Sequence, residues 1–235
     1  MLHQGEKEVF VDRTGRISLN LKDGMKRITI HLPGSCSVRI ANFNIDKDAK
    51  VESIKYDKKA MFFGDSITHA AYLDFPSLNY SNIISKRLNM KSINQAIGGD
   101  VFDKNHLDFL PDFNPDIVFV AYGTNDWLSE NDTCQEKSME YFSKLVSIYG
   151  ESKVNVILPI WRGDSCAYPE LKNSFHDIRN IIKVNAESKG LNVIDGLDFV
   201  PHIEMLFYDK FLHPNEMGFA FYADKLENAV KCCSI

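Results

Sequence analysis

From Lys59 to the C-terminus, short apolar runs alternate with longer stretches in which apolar residues return every three or four positions. Residues 60–63, 91–97, 116–122, 154–160 and 191–194 are rich in β-branched and aromatic side chains and predict five buried strands. Between them, Tyr80, Ile83, Ile84, Arg87 and Leu88 share one helical face, as do Met139, Phe142, Leu145, Val146 and Tyr149. Phe175, Ile178, Ile181 and Ile182 share another, and a last helix carries Phe219, Tyr222, Ala223, Leu226 and Val230. Strand alternating with helix predicts the α/β class, with a five-stranded parallel sheet.

Upstream the period is two. Ile17, Leu19 and Leu21, then Ile28, Ile30 and Leu32, then Val38 and Ile40 alternate with polar residues, with a change of phase before Phe43 and Ile45. Lys22-Asp23-Gly24 and Pro33-Gly34-Ser35 separate these runs as turns. The pattern predicts a small antiparallel, sandwich-like β domain over residues 1–57, ahead of an α/β domain over 58–235. A unit this small leans on its neighbour for stability.

Composition narrows the partners. The 235 residues are 44% hydrophobic and 25% charged, the balance of an ordinary globular protein. The net charge of -5, with no basic cluster interleaved with aromatics, argues against nucleic-acid binding. No apolar run reaches transmembrane length, and MLHQGEKEVFVDRTG lacks the basic and apolar regions of a signal peptide, so a cytoplasmic location is expected. The 5 cysteines, Cys36, Cys134, Cys166, Cys232 and Cys233, lack paired spacing and are expected as free thiols. His69, His106, His176 and His202 show no ligand spacing either, so neither a metal nor a cofactor is expected.

In an open parallel sheet, ligands bind beyond the carboxyl ends of the strands. The first three ends carry Gly64-Asp65-Ser66-Ile67-Thr68, Gly98-Gly99-Asp100 and Gly123-Thr124-Asn125-Asp126. A nucleophilic serine needs a base, and acyl transfer needs donors for the developing oxyanion. Ser66 supplies the hydroxyl, Gly99 an unobstructed backbone N–H, Asn125 a side-chain amide, and His213 in Phe211-Leu212-His213-Pro214-Asn215 the base. Singly, each of these also fits a turn, a cap or a surface loop. Asp65 and Asp126 are expected to brace their loops by accepting backbone N–H bonds.

GDSIT around Ser66, NQAIGGD ending in Gly99 and Asp100, GTND around Asn125 and LHPN around His213 resemble, in order, the four blocks of the SGNH or GDSL-like hydrolases. The resemblance implies a flavodoxin-like three-layer α/β/α fold, with Ser66, Gly99 and Asn125 as the oxyanion hole. PSLNY near Ser77 and LPIWR at Trp161 and Arg162 further resemble a bacterial subgroup with a small N-terminal β domain. Trp161 and Arg162, after the fourth strand, are candidates to line the substrate pocket, although a Trp at a sheet edge equally serves as packing. The implied activity is hydrolysis of short acyl esters, with acetyl esters of sugars or small molecules as substrates.

One departure stands out. Family members usually carry an aspartate three residues before the histidine, where this chain has Lys210. Asp209 is one position earlier, and one residue changes chain reach by roughly 3.5 Å at most, which a bulge absorbs. Asp209 is therefore the expected third member, with Asp195, Asp198 or a bare Ser66–His213 dyad as alternatives. Rival functions are an acyltransferase on the same site, a decayed carbohydrate-binding protein, and a thiol hydrolase on Cys134 or Cys166.

Overall fold

The structure, a computed structural model, describes residues 2–4, 7–9, 18–32, 41–128, 133–168 and 174–232. At its N-terminal end β1 (Leu2–Gln4) pairs antiparallel with β2 (Lys7–Val9). The main sheet comprises β3 (Lys58–Gly64), β4 (Met90–Asn94), β5 (Ile117–Ala121), β6 (Val154–Ile157) and β7 (Asn192–Ile194). All its pairings are parallel, in the order β4-β3-β5-β6-β7.

Because successive strand residues face opposite ways, each strand serves two cores. Met61, Phe63, Val118, Val120 and Val156 pack with Tyr141, Phe142 and Leu145 of α3 (Thr133–Tyr149) and with Ile178 and Ile182 of α4 (Phe175–Ser188). Ala60, Phe62, Ile117, Phe119 and Ile157 pack with Tyr80 and Ile84 of α2 (Tyr80–Arg87) and with Phe219, Tyr222 and Leu226 of α5 (Glu216–Cys232). Three layers, α/β/α, result. The sequence motif that starts α4 is a reciprocal cap: Ser174 Oγ accepts from Asp177 N–H and the Asp177 carboxylate accepts from Ser174 N–H.

Two strands, β4 and β6, end three residues before their apolar runs do. Beyond Asn94 the chain still bonds its neighbour, through Gln95 N–H to Phe62 O at 2.8 Å and Ile97 N–H to Gly64 O at 3.1 Å, but the regular ladder has ended. Beyond Ile157, Leu158 N–H continues to Ile194 O at 2.9 Å and Trp161 N–H reaches Leu197 O at 3.2 Å. Both tails lie where the chain leaves the sheet towards the site. The strand order reverses direction at β3, with β4 on one side and β5 on the other, and this opens a crevice at their carboxyl ends.

In the N-terminal segment the described ladder is the β1–β2 pair. Residues 18–32 and 41–57 form no strand, and Ile28, Ile30, Leu32, Phe43 and Ile45 are exposed. Among the described residues, no β ladder includes 19–21, 28–32 or 43–45. Ile17, Val38 and Ile40 lie outside the described residues. The entry to β3 is latched by Asn89: its carbonyl accepts from Asp57 N–H at 3.0 Å, and its amide donates to Lys55 O at 3.2 Å and to the Asp57 carboxylate at 3.1 Å.

Candidate active site

The nucleophile's position begins with Gly64, the last residue of β3. A Cβ there would stand 2.3 Å from Thr68 Oγ1 and 2.8 Å from Ala121 O, so only glycine lets the strand turn at once into α1 (Ser66–His69). Asp65 caps that turn, its Oδ1 accepting from Ile67 N–H at 3.0 Å. Asn79 and Asn94 then pin it from below, each donating to Thr68 O at 2.7 Å. Ser66 is thereby fixed at the crevice as the first residue of the short helix.

His213 arrives from the far side, on a loop closed at its neck by a bridge between Phe207 and Pro214. Tyr208 N–H donates to His213 O at 2.7 Å across the same neck. Pro214 stands one residue before the cap of α5, where Asn215 Oδ1 accepts from Gly218 N–H, so it stiffens the neck rather than the helix.

The two loops meet side chain to side chain. Ser66 Oγ lies 2.8 Å from His213 Nε2, and His213 Nδ1 lies 2.6 Å from Asp209 Oδ2. The other carboxylate oxygen, Oδ1, accepts from the backbone N–H groups of Phe211, Leu212 and His213 at 3.2, 2.8 and 3.0 Å. Burial alone would raise the Asp209 carboxyl; the bond from His213 and the three N–H groups outweigh it and hold it below the usual range. An ionised carboxylate can only accept, so Nδ1 carries the ring proton and Nε2 faces Ser66 as an acceptor. The extra residue is absorbed at Lys210, whose backbone is left-handed at φ 74°. Asp195 and Asp198 lie elsewhere, bonded to Arg179 and to His202 respectively.

The second strand end comes against Ser66, and the third is tied to the second. Gly99 has φ 81° and open space where a Cβ would be, while a Cβ on Gly98 would come 4.0 Å from Ser66 Cβ. The Asn125 amide is oriented by donating to Asp100 O at 2.8 Å, which ties the second strand end to the third. Asp65 and Asp126 sit behind these loops as buried carboxyls, the latter accepting from Phe102 N–H at 3.1 Å. Burial pushes Asp65 up to about 7 and Asp126 up to about 6. Among the described residues, no group of three or more His, Cys, Asp or Glu side chains could hold a metal ion.

Residues 62–221 match the GDSL-like lipase/acylhydrolase family. The chain belongs to that family. No curated protein sequence matches it. Among solved structures it is similar to a GDSL-like protein of Bacteroides ovatus at 19% identity and TM-score 0.64, covering 80% of this chain and 57% of that one. A lipase/acylhydrolase of Enterococcus faecalis aligns at 22% identity and TM-score 0.60, covering 75% of this chain and 96% of its own. The acetyl xylan esterase AlAXEase aligns at 24% identity and TM-score 0.59, covering 73% and 99%. These likenesses establish the three-layer GDSL fold.

The remaining residues of this GDSL-like site divide by burial. Arg162 is 2% exposed and faces inward: its Nε and one terminal nitrogen grip Asp164 at 2.6 and 2.7 Å, and the other donates to Thr124 O at 2.9 Å. It lies over the Trp127 ring at 4.7 Å, so it braces the loop carrying Asn125. Trp161 stacks on His202 with ring centres 5.1 Å apart and packs on Phe207. Burial pushes the Cys134 thiol up to about 12, far from the thiolate a nucleophile requires. Among the described residues no helix is long and apolar enough to cross a membrane.

Two residues at the site escaped the sequence reading. The Tyr72 ring stands 4.8 Å from the His213 ring, and Tyr208 stacks on Tyr72 at 5.4 Å with planes 12° apart. Neither belongs to a motif block. Their only signal was position, Tyr208 beside Asp209 and Tyr72 soon after Ser66.

Proposed function

We propose that this GDSL-like family member is a serine esterase that hydrolyses short acyl esters, acetyl esters foremost, through an acyl-enzyme on Ser66. The unbroken relay from Ser66 Oγ through His213 to Asp209, with contacts of 2.8 and 2.6 Å, is the observation that carries the reading. His213 Nε2 takes the Ser66 proton as Oγ attacks the ester carbonyl, and Asp209 holds the imidazole's tautomer and steadies its charge. The backbone N–H groups of Ser66 and Gly99, with the Asn125 amide, receive the oxyanion. The alcohol leaves with the proton from His213, and water, deprotonated by the same nitrogen, releases the acid.

Acetyl as the acyl group is supported by the family resemblance and by the fold shared with an acetyl xylan esterase. Hydrolysis of p-nitrophenyl esters of increasing acyl length by wild type, Ser66→Ala and His213→Ala tests the reading. Both variants should fall to near background, and the rate should drop beyond the shortest chains. Full activity in Ser66→Ala would remove the reading.

A further inference from the structure

In the esterase reading, three groups meet at one carbonyl. Ser66 Oγ attacks it, His213 Nε2 takes the proton, and the Asn125 amide with the Gly99 N–H holds the oxyanion. A misplacement of about 1 Å between such groups costs about a hundredfold in rate. Asn125 and His213 ride on separate loops, so their separation has to be held by something that touches both.

One short segment does. After β6 the chain runs through Trp161, Arg162 and Gly163. Arg162 donates at 2.9 Å to Thr124 O, the carbonyl just before Asn125, and its guanidinium is fixed there by Asp164 and by the Trp127 ring. Gly163 N–H donates to Phe211 O at 2.7 Å. Phe211 stands two residues before His213, and its own N–H is one of the three held by Asp209 Oδ1. Adjacent residues thus grip the oxyanion side and the base side, one Cα–Cα step of about 3.8 Å apart.

Gly163 is the point at which this segment admits no side chain. Its φ lies outside the left-handed range, so the need is for space rather than for conformation. The residue is exposed, so burial in a core does not explain the glycine either. A Cβ there would stand 2.9 Å from Trp161 Cη2, 3.2 Å from Phe211 Cβ and 3.4 Å from Phe211 Cα. The indole has little room to yield: it stacks on His202 with planes 13° apart and packs on Phe207, whose bridge to Pro214 closes the neck of the base loop. A methyl group would therefore displace Phe211, and the loop carrying His213 with it.

We propose that Gly163 is a positioning residue, and that with Arg162 it forms a tie that sets where His213 Nε2 stands relative to Ser66 and the Asn125 amide. The proposal rests on the esterase reading and adds to it the element that fixes the gap between base and oxyanion hole.

The test follows kcat and KM on p-nitrophenyl acetate together with the ¹⁵N shift of His213 Nε2, read through the carbon-bound ring protons at mildly alkaline pH. That shift reports the hydrogen bond accepted from Ser66 Oγ, and Ser66→Ala supplies its value without the bond. Gly163→Ala should lower kcat about a hundredfold with KM within about threefold, and carry the Nε2 shift at least about halfway to the Ser66→Ala value. Trp161→Phe removes the atom at 2.9 Å and leaves Phe211, so the glycine change made in that background should cost about tenfold. The second background also serves where Gly163→Ala alone does not fold. Turnover and shift both unchanged in Gly163→Ala, or in the double variant where only that folds, would overturn the tie. So would lost turnover beside an unmoved shift, the mark of damage elsewhere in the fold. The shift needs no turnover: if wild type hydrolyses no ester while Gly163→Ala still moves it, the tie stands and the esterase reading falls.

Discussion

Asp209 reaches His213 across four residues of backbone, its Oδ2 at 2.6 Å from Nδ1, and the left-handed turn at Lys210 closes that span. The carboxylate also organises the loop itself, since Oδ1 gathers three successive N–H groups. Its removal should cost rate in two ways, through the ring's tautomer and through the loop. In the serine-protease template the orienting carboxylate accounts for about 10⁴ in kcat. Asp209→Ala and Asp209→Asn should each lower kcat by roughly 10³ or more. Steady-state kinetics on a p-nitrophenyl ester decides it; near-normal turnover in both would leave a dyad.

Lys210 offers a test of the backbone alone. A left-handed conformation costs an L residue about 1 to 2 kcal/mol, and glycine is spared this while losing some of the gain to its freer unfolded chain. Lys210→Gly should keep activity and gain roughly 0.5 kcal/mol in denaturant unfolding. Lys210→Val, branched at Cβ, should lose at least about 1 kcal/mol and lower kcat as the loop shifts. Equal stability in the two variants would show that the loop relaxes to another conformation.

Arg162 distinguishes a brace from a ligand contact. Removing one partner of a buried ion pair leaves the other uncompensated, at a cost of about 3 kcal/mol or more. Arg162→Ala should therefore unfold at markedly lower denaturant and lose kcat through misplacement of Asn125. A rise in KM at unchanged stability would instead place the guanidinium against substrate.

The buried carboxyl of Asp65 sets a pH dependence of stability. A free aspartate ionises near pH 3.9, whereas Asp65 in the folded chain keeps its proton up to about 7. Between those values the native state binds the extra proton, so its stability falls as pH rises through the window and levels off above it. Asp126, pushed to about 6, acts in the same direction over a narrower range. Asp209, lowered when folded, acts oppositely: its contribution is present above the ordinary carboxylate pKa and fades as pH falls below it. Asp65→Asn keeps the acceptor for Ile67 N–H and removes the charge, so it should flatten the decline between pH 4.5 and 7.5 by an amount on the order of a few kcal/mol. An equally steep decline in the variant would rule out Asp65 as its source.

What the sequence disclosed follows its own periodicities. The inner strands were readable because β5, β6 and the end of β3 are buried on both faces and hence apolar, as Ile117–Ala121 shows, whereas the edge strands β4 and β7 keep polar residues such as Lys91, Asn94 and Asn192. Their ends were less so, since Leu158 and Ile160 are buried without belonging to a ladder. Of the N-terminal runs, the described residues 18–32 and 41–57 carry no ladder, and Ile17, Val38 and Ile40 lie outside the described residues. Arg162 was a pocket candidate by its place after the fourth strand; in the structure its guanidinium turns inward to Asp164, two positions on, and to Thr124 O. Tyr72 and Tyr208 carried no sign beyond their position, because an exposed aromatic in a loop has neither period nor motif, and only the folded chain sets both beside His213.

The neck between Phe207 and Pro214 gives the base and its carboxylate a common foundation. With the Phe207–Pro214 bridge, the Tyr208 bond across and Oδ1 of Asp209 gathering three N–H groups, residues 207–214 are braced largely from within, with Gly163 N–H holding Phe211 O from outside at 2.7 Å. Grafted into a relative whose aspartate stands three residues before its histidine, this segment should bring its own spacing and still present Nε2 to the host's serine, so the distance between acid and base along the chain is free to vary where their distance in space is not.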